Sequence, residues 1–287
     1  MDNSNGFVIK NGMLVEYNGT ESRIVIPANV QRICDNVFQD NINIVSVEIT
    51  EGVNCIDVGA FNRCRNIAEI KLPDSLTKIG MGAFARCSSL KKIKIPENVK
   101  KIGCSAFLDC ISLSTVDYNA KKCKNISSDG NYDFYTYSDY GNFYDDIEPV
   151  FSGCTSLKTV NIGPDVSYIP SELFHSTTYL DRVNVLGTTK LSVGFKAFDN
   201  HIDLNKILHC EAGKEIVFEP LKNYKFPAIH VEEGINVIHK DFGLGEVEEI
   251  IHDKGLIKVR FICYARHAIK YFRYPEAFYL EKLEFLD

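Results

Sequence analysis

The 287-residue chain lacks the sequence features that mark most enzymes, metal centres and membrane proteins. No apolar run approaches the ~20 residues that a membrane-spanning helix needs. There is no Walker loop, no H-E-x-x-H motif and no nucleophile elbow, and none of the ten cysteines forms a C-x-x-C pair. We therefore expect a non-enzymatic protein with no catalytic residues, no metal, no cofactor and no contact with a membrane.

The sequence also shows no pattern of a secretory leader at its start and no excess of positive charge. Residues 1–6 contain neither a basic stretch nor an apolar core, so we expect no secretory signal. If Met1 is the native start, this predicts a cytoplasmic protein with reduced thiols. An extracellular location is the alternative. The net charge of −6 argues against general binding to nucleic acid.

What the chain has instead is a 23-residue repeat. Phe38, Phe61, Phe84 and Phe107 lie 23 residues apart, and the residues around them follow the same pattern. In three of these four units a cysteine follows three residues later, and aliphatic residues follow six and nine residues later. Such units are too short to bury an apolar face alone, so the period predicts a solenoid of stacked coils.

Two stretches show the repeat most clearly, GAFARCSSLKKIKIP at residues 82–96 and FSGCTSLKTVNIG at residues 151–163. They resemble the BspA-like leucine-rich repeat family, and the resemblance covers roughly residues 20–210. It implies a solenoid with one parallel strand per ~23-residue coil, short turns or helices between strands, and a surface that binds a ligand. Family members are often exported surface proteins, so a surface adhesin is one alternative function.

The alternation within each unit predicts which side chains face outward. Residues eight and ten positions after each repeat phenylalanine are mostly polar or charged and alternate with apolar residues. We expect them to form the exposed face of one parallel sheet and to bind a protein partner of unknown identity. These residues are Ser46, Glu48, Glu69, Lys71, Lys92, Lys94, Thr115, Asp117, Thr159, Asn161, Arg182 and Asn184.

The repeat also divides the chain into parts. Asn11-Gly12 is a hairpin signal and predicts a hairpin cap over residues 1–23, followed by the solenoid over residues 24–210. Phe107 and Phe151 lie 44 residues apart, which we interpret as an irregular insertion over residues 119–150 that replaces one coil. Residues 211–230 are interpreted as a closing coil and linker.

The insertion is rich in tyrosine and in acidic residues. Tyrosine is enriched in protein interfaces, so one interpretation is a second partner-binding surface. The alternative is that the rings pack over the edge of the solenoid while the acids solvate the segment. The tyrosines in question are Tyr132, Tyr135, Tyr137, Tyr140 and Tyr144.

Residues 231–287 do not follow the repeat and predict a small antiparallel β-barrel. Short alternating stretches, such as residues 245–250 and 257–261, are separated by glycines. Residues 237–247 and 257–261 resemble the Tudor-like barrel at the end of some bacterial UvrD-type helicases. The resemblance implies a docking module, and its relatives contact RNA polymerase or nucleic-acid machinery.

The barrel segment contains a basic run that no acidic residue interrupts between Lys254 and Tyr274. Three interpretations remain open: a solvated strand face, a site for an acidic protein partner, or a nucleic-acid site. Its candidate binding residues are Lys258, Arg260, Arg266, Lys270 and Arg273. The leading function is therefore a protein-binding adaptor, and the alternative is a nucleic-acid- or RNA-polymerase-associated factor that acts through the barrel.

Overall fold

The computed structural model of the chain describes residues 4–127, 148–187, 190–194, 196–199, 204–210 and 215–218. In the C-terminal part it describes residues 236–239, 243–251, 256–262, 267–273 and 284–285. Residues Met1–Pro220 form one compact unit, and residues Leu221–Asp287 form a second. Among the described residues, no helix is long and apolar enough to cross a membrane.

The first unit is a β-solenoid whose coils contribute strands to two faces. The first face contains the strands that follow the alternating pattern of the sequence. They are β3 (Arg23–Val25), β5 (Ser46–Glu48), β7 (Glu69–Lys71), β9 (Lys92–Ile95), β11 (Thr115–Tyr118), β13 (Thr159–Ile162), β15 (Arg182–Val185) and β17 (Leu208–Cys210). They pair in parallel in the orders β3-β5-β7 and β9-β11-β13-β15-β17. The predicted leucine-rich repeat solenoid is thereby confirmed.

A second face adds one more short parallel strand to each coil, where the sequence had predicted only one strand per coil. These strands are β4 (Arg32–Ile33), β6 (Cys55–Ile56), β8 (Lys78–Ile79), β10 (Lys101–Gly103), β12 (Asn125–Ser127), β14 (Tyr168–Ile169), β16 (Lys190–Val193) and β18 (Glu215–Phe218). Most are two or three residues long, which is too short to produce an alternation signal. A single short helix, α1 (Leu204–Ile207), precedes β17.

The repeat phenylalanines form one continuous stack through the core. Seven rings lie one above another, with centroids 4.7–5.5 Å apart and planes within 8–17° of parallel. All seven side chains are buried. The spacing matches the 4.7–4.9 Å between neighbouring strands, so each coil places its ring on the ring below. The seven residues are Phe38, Phe61, Phe84, Phe107, Phe151, Phe174 and Phe198.

Most of the phenylalanines, among them Phe61, Phe84 and Phe107, lie in a turn with left-handed backbone two residues before and two residues after the ring. Arg63 and Arg86, two residues after their phenylalanines, have φ values of 60° and 61°. This conformation is unfavourable for residues with a Cβ atom. Hydrogen bonds between coils offset the strain: the Phe61 N–H donates to the Ala83 carbonyl and the Arg63 N–H to the Ala85 carbonyl, both at 2.8 Å. The segments that were expected to be short turns or helices are therefore turns.

No coil is missing between Phe107 and Phe151, contrary to the interpretation of the 44-residue gap. The two rings stack at 5.1 Å, and β11 pairs directly with β13. Strand β12 still pairs with β10 in regular register, so the chain is regular through Ser127. It returns at Glu148, whose carbonyl accepts the Ser105 N–H at 2.9 Å. The extra residues, 128–147, are thus contained within a single coil and form a shorter insertion than the expected 119–150.

The N-terminal residues form the expected hairpin and cover the first coil. Strands β1 (Phe7–Lys10) and β2 (Met13–Tyr17) are antiparallel, and β2 pairs in parallel with β4. The turn residues Asn11 and Gly12 have φ values of 50° and 75°. The Tyr17 ring lies 5.1 Å from Phe38 and the Phe7 ring lies 4.9 Å from Tyr17, so the hairpin extends the row of rings with two tilted aromatic side chains.

The solenoid continues beyond residue 210, where the sequence had placed its end. Strand β17 pairs with β15, and β18 pairs with β16 over residues 215–218. These residues belong to the first unit, which ends at Pro220. The segment that was interpreted as a closing coil and linker therefore begins with a strand of the solenoid.

The second unit is a five-stranded antiparallel sheet. Its strands are β19 (Asn236–His239), β20 (Gly243–Ile251), β21 (Leu256–Ile262), β22 (His267–Arg273) and β23 (Glu284–Phe285), in the order β22-β21-β20-β19-β23. Val247, Ile257 and Val259 are buried, as expected for one internal row. The antiparallel sheet is confirmed, and its closure into a barrel stays a prediction.

Candidate interaction surfaces

The structure places all twelve residues expected on the partner-binding face on the outer side of the first face. The residues between them, such as Val47 and Ile93, are buried. Glu48, Glu69, Lys71, Lys92, Lys94 and Arg182 are exposed, whereas Ser46, Thr115, Asp117, Thr159, Asn161 and Asn184 are half-buried. The outward residues form two columns, because the strands pair without a shift in register within each of two parallel sheets, β3-β5-β7 and β9-β11-β13-β15-β17. The single sheet expected from the sequence is thus divided between β7 and β9.

The columns are charged at one end and mainly neutral at the other. Lys71 Nζ lies 2.7 Å from Glu48 Oε1, and this hydrogen bond raises the pKa of Lys71. Lys92 Nζ lies 2.8 Å from Asp117 Oδ2. Exposed ion pairs of this kind contribute at most about 1 kcal/mol each, so they order the surface more than they stabilise the fold.

A ladder of side-chain amides continues the second column. Asn161 Nδ2 donates to Asp117 Oδ1 at 2.6 Å, and Asn184 Nδ2 donates to Asn161 Oδ1 at 2.7 Å. Each hydrogen bond joins neighbouring coils and fixes the direction of the amide. The sequence predicted that these residues face outward, but it did not predict the ladder. The available signal was an Asp or Asn ten residues after three successive repeat phenylalanines.

A shallow pocket of about 210 Å³ lies where the strands of the first face end. Its lining includes Asp74, Lys94, Glu97 and Asp165. Lys121 Nζ lies 2.9 Å from Glu97 and 3.7 Å from Asp165, and its hydrogen bond lowers the pKa of Glu97. Sequence reasoning did not find this pocket, because its residues come from several coils. Within the described residues, no group of three or more histidine, cysteine or acidic side chains could hold a metal ion.

The repeat cysteines are structural. Each buried thiol donates a hydrogen bond to the phenylalanine carbonyl of the preceding coil, for example from Cys87 Sγ to Phe61 O at 3.3 Å. The same contact joins Cys64 to Phe38, Cys110 to Phe84 and Cys154 to Phe107 at 2.9–3.2 Å. Burial raises the pKa of Cys64 to about 12 and that of Cys87 well above its usual value. Thiols that cannot ionise are poor nucleophiles.

The second candidate surface lies outside the described residues. Tyr132, Tyr135, Tyr137, Tyr140 and Tyr144 all belong to residues 128–147. What the structure defines is the point where this segment joins the solenoid. The chain leaves at the end of β12 and returns at Glu148, immediately before the turn that contains Phe151.

The third candidate surface, the basic run of the second unit, lies beside acidic residues. Lys258 Nζ is 3.1 Å from Glu248 Oε2, and Arg260 is opposite Glu246 in the pairing of β20 with β21. Lys270 and Arg273 belong to β22, and Arg266 lies outside the described residues. The Lys258 side chain is only 24% exposed and that of Glu248 only 13%, so this ion pair is largely withdrawn from solvent.

Comparison with known proteins identifies the repeat. The model of the BspA type leucine rich repeat region matches residues 16–138 and 148–242 in six copies. No curated protein matches the chain.

Similar solved structures include a Treponema pallidum leucine-rich repeat protein, which is 26% identical with a TM-score of 0.48. That match covers 64% of this chain and 77% of the other. A leucine rich cell surface protein from Faecalibacterium prausnitzii is also 26% identical, with a TM-score of 0.43 over 53% of this chain. The match covers 35% of the Faecalibacterium protein, so this chain corresponds to about a third of its length.

Proposed function

Because this chain belongs to the BspA-type leucine-rich repeat family, we propose that it is a non-enzymatic scaffold that recognises a protein partner through the first face of its solenoid. The observation that carries the proposal is the outer surface of two successive parallel sheets on the first face. Its side chains are held in register from Ser46 to Lys71 and from Lys92 to Asn184. A surface of this kind is extended and rigid, as solenoid binding surfaces are.

The charge distribution indicates which part of the first face discriminates between partners. Lys94 and Arg182 are exposed, and neither has an ion-pair partner among the described residues. Between them lie the neutral Thr159 and the amide ladder, whose hydrogen bonds fix the orientation of polar groups. The arrangement fits a partner surface that has acidic groups at two points and hydrogen-bonding groups between them.

The test compares two double variants that change the net charge equally. Lys94→Glu with Arg182→Glu alters the first face, whereas Lys10→Glu with Arg65→Glu alters an exposed lysine of the N-terminal hairpin and an exposed arginine of a turn. In quantitative pull-downs from native lysate, we expect some proteins to be captured by wild type and by the control variant but not by the first-face variant. Purified partners should then bind the first-face variant at least tenfold more weakly. Equal capture by all three chains would reject the first face as the recognition surface.

We further propose that the insertion and the second unit serve as accessory surfaces of this scaffold. The support for the insertion is its five tyrosines, together with its place beside the Phe151 turn. Deletion of residues 128–147 should weaken partner binding if the tyrosines contribute contact area. Unchanged affinity would support the alternative, in which the rings only pack on the solenoid.

For the second unit we propose a docking module of the Tudor-like class, supported by its five antiparallel strands and its separate compact fold. An isolated fragment of residues 221–287 should show β-type circular dichroism. Reversal of Arg260, Arg266 and Lys270 to Glu should weaken docking and reduce its salt dependence, while the solenoid remains folded. An unstructured fragment would instead make this segment a dependent C-terminal cap.

For the site of action we propose the cytoplasm, and the cell surface is the alternative. Cell fractionation combined with protease treatment of intact cells separates the two. Protection of the chain from external protease supports the cytoplasmic proposal. Degradation of the chain by external protease in intact cells would favour an exported adhesin.

A further inference from the structure

The second face of the solenoid contains a cluster of lysines that has no role in the proposed recognition surface. Lys78 and Lys101 are directly opposite each other in the pairing of β8 with β10. Lys100 precedes Lys101, and Lys124 precedes the neighbouring strand β12. Lys100, Lys101 and Lys124 are exposed, and Lys78 is half-buried. These four residues are called the lysine patch below.

The lysine patch differs from the turn column that contains Asp40, Arg63, Arg86 and Asp109, in which each arginine has an acidic residue in an adjacent coil. Arg63 lies 3.8 Å from Asp40, and Arg86 lies 3.4 Å from Asp109. Like charges directly opposite one another in a sheet are destabilising. Among the described residues, Lys100 and Lys101 have no ion-pair partner, although the chain as a whole has a net charge of −6. The excess of positive charge is therefore centred on Lys100 and Lys101, because Lys78 has an acidic neighbour in Asp35.

The fold does not require lysine at these positions. The same column contains Cys55 on β6 and Asn125 on β12, which pair with the same strands in the same register. A neutral polar residue therefore fits the coil equally well. Lys124 Nζ lies 5.1 Å from the centroid of the Tyr168 ring, so this ammonium group is held over an aromatic face at the end of the patch.

We propose that the lysine patch binds a short acidic segment of a partner protein, laid across strands β8, β10 and β12. Neighbouring strands are about 4.8 Å apart, so the patch extends roughly 10 Å across the coils. Carboxylates on alternate residues of an extended peptide lie roughly 6.8 Å apart, so a segment of four or five residues with two or three acids covers it.

A nucleic acid fits the lysine patch less well than an acidic peptide. Nucleic-acid-binding proteins commonly neutralise about 6–10 phosphates, and four lysines supply fewer contacts. The net charge of −6 also repels a long polyanion more than it repels a short peptide. The lysine patch therefore selects a ligand that has a few carboxylates close to one another.

The experiment measures fluorescence anisotropy of a labelled peptide of four Glu-Gly repeats with the full-length chain. The patch variant is Lys100→Glu with Lys101→Glu, and the control is Lys10→Glu with Lys158→Glu, which changes the net charge equally. We expect wild type and the control to bind, the patch variant to bind at least tenfold more weakly, and binding to weaken between 50 and 200 mM salt. If the Glu variant fails to fold, the milder variant Lys100→Gln with Lys101→Gln takes its place. Its peptide affinity should lie between that of wild type and that expected for the Glu variant.

Four outcomes would overturn the proposal. Wild type could fail to bind the peptide, or patch and control variants could lose affinity equally, which would show an effect of net charge alone. A random 20-nucleotide single strand could bind more tightly than the peptide. Finally, binding could require deletion of residues 128–147, which would assign the patch to the acidic segment of the chain itself. The Lys94→Glu and Arg182→Glu variant should keep peptide binding, so failure of this proposal is distinct from failure of first-face recognition.

Discussion

At the residue scale, the repeat cysteine has a specific role that its small size alone does not explain. Its thiol satisfies the carbonyl of the phenylalanine one coil below, for instance Cys110 Sγ to Phe84 O at 3.2 Å. That carbonyl also accepts the Cys87 N–H at 3.2 Å, so the weak thiol donor occupies the second lone pair of the oxygen. The sequence predicted small buried residues in a ladder, and the structure adds their hydrogen bonds.

The burial of these thiols predicts a fixed order of chemical labelling. Because burial raises the pKa of Cys64, Cys87 and Cys110, these residues should not react with a thiol reagent at pH 8 until the chain unfolds. Cys210 is exposed and should react first. Peptide mass spectrometry of samples labelled with and without denaturant gives the order. Rapid native labelling of Cys87 would contradict its place in the core.

The stacked phenylalanines predict a large loss of stability on truncation. Phe84→Ala removes a ring that lies 5.3 Å from Phe61 and 5.2 Å from Phe107, and should cost about 3–5 kcal/mol of unfolding free energy. Because coils contact only their neighbours, the loss can unfold part of the solenoid before the rest. Phe84→Leu, which keeps most of the volume, is the control and should lose less. Urea denaturation followed by circular dichroism measures both, and a midpoint equal to that of wild type would place Phe84 outside the core.

Glu51 predicts a pH-dependent contribution to stability. Its carboxylate accepts the Asp74 N–H at 2.9 Å and the Ser75 N–H at 3.1 Å, and the Asp74 hydrogen bond is the main cause of its lowered pKa. A carboxyl group with a lowered folded pKa stabilises the fold above its usual pKa of 4.5 and loses that effect as the pH falls through the folded value. Glu51→Gln should therefore lower the denaturation midpoint at pH 7, and the difference should disappear near pH 3. A difference that persists at pH 3 would contradict the role of the ionised carboxylate.

At the element scale, the insertion shows what a one-dimensional period can and cannot specify. The 44-residue spacing correctly indicates extra sequence, yet it cannot distinguish a replaced coil from a segment added within one coil. Only the pairing of β11 with β13 and the stacking of Phe107 on Phe151 decide between them. Likewise, the step from Phe174 to Phe198 is one residue longer than the period, yet the rings still stack at 5.5 Å. The extra residue falls between β15, which is 23 residues after β13, and β16, which is 24 residues after β14.

The strands show the same contrast between features that the sequence period specifies and features that it does not. The outward and buried positions of β9 were predictable because Lys92, Ile93, Lys94 and Ile95 alternate strictly. The short strands of the second face were not, because two residues around Ile56 or Ile79 carry no period. The lysine patch and the pocket beside Glu97 also depend on contacts between coils, which a single unit of the repeat does not contain.

The position of the insertion predicts that it can be removed. Without residues 128–147, Ile126 would precede Phe151 by five positions, as Ile102 precedes Phe107. Joining Ser127 to Glu148 therefore restores a regular coil, and the melting temperature should stay within a few degrees of wild type because loop length has only a weak effect on closure entropy. Thermal unfolding followed by circular dichroism measures the melting temperature of the deletion variant. Deletion of residues 124–143, which has the same length but removes β12, is the control and should unfold part of the solenoid. Insoluble protein from the first deletion would contradict the assigned boundaries.

At the scale of the whole molecule, the chain combines a solenoid with a second compact unit, which is an antiparallel sheet. The first unit supplies two surfaces of different chemistry, a long face of ordered polar side chains and a compact lysine patch. The family membership and the outward positions were predictable from the repeat, since each coil contains the same pattern. Partner identity was not, because it depends on side chains that differ from coil to coil.

The most direct test of the account is a lysine-labelling footprint of the full chain with and without its purified partner. Acylation by a small amine-reactive ester is quantified for each lysine by mass spectrometry. Recognition through the first face predicts that Lys71, Lys92 and Lys94 lose reactivity in the complex, while Lys10 keeps its reactivity. Unchanged labelling of all three first-face lysines in a saturated complex would contradict the central claim.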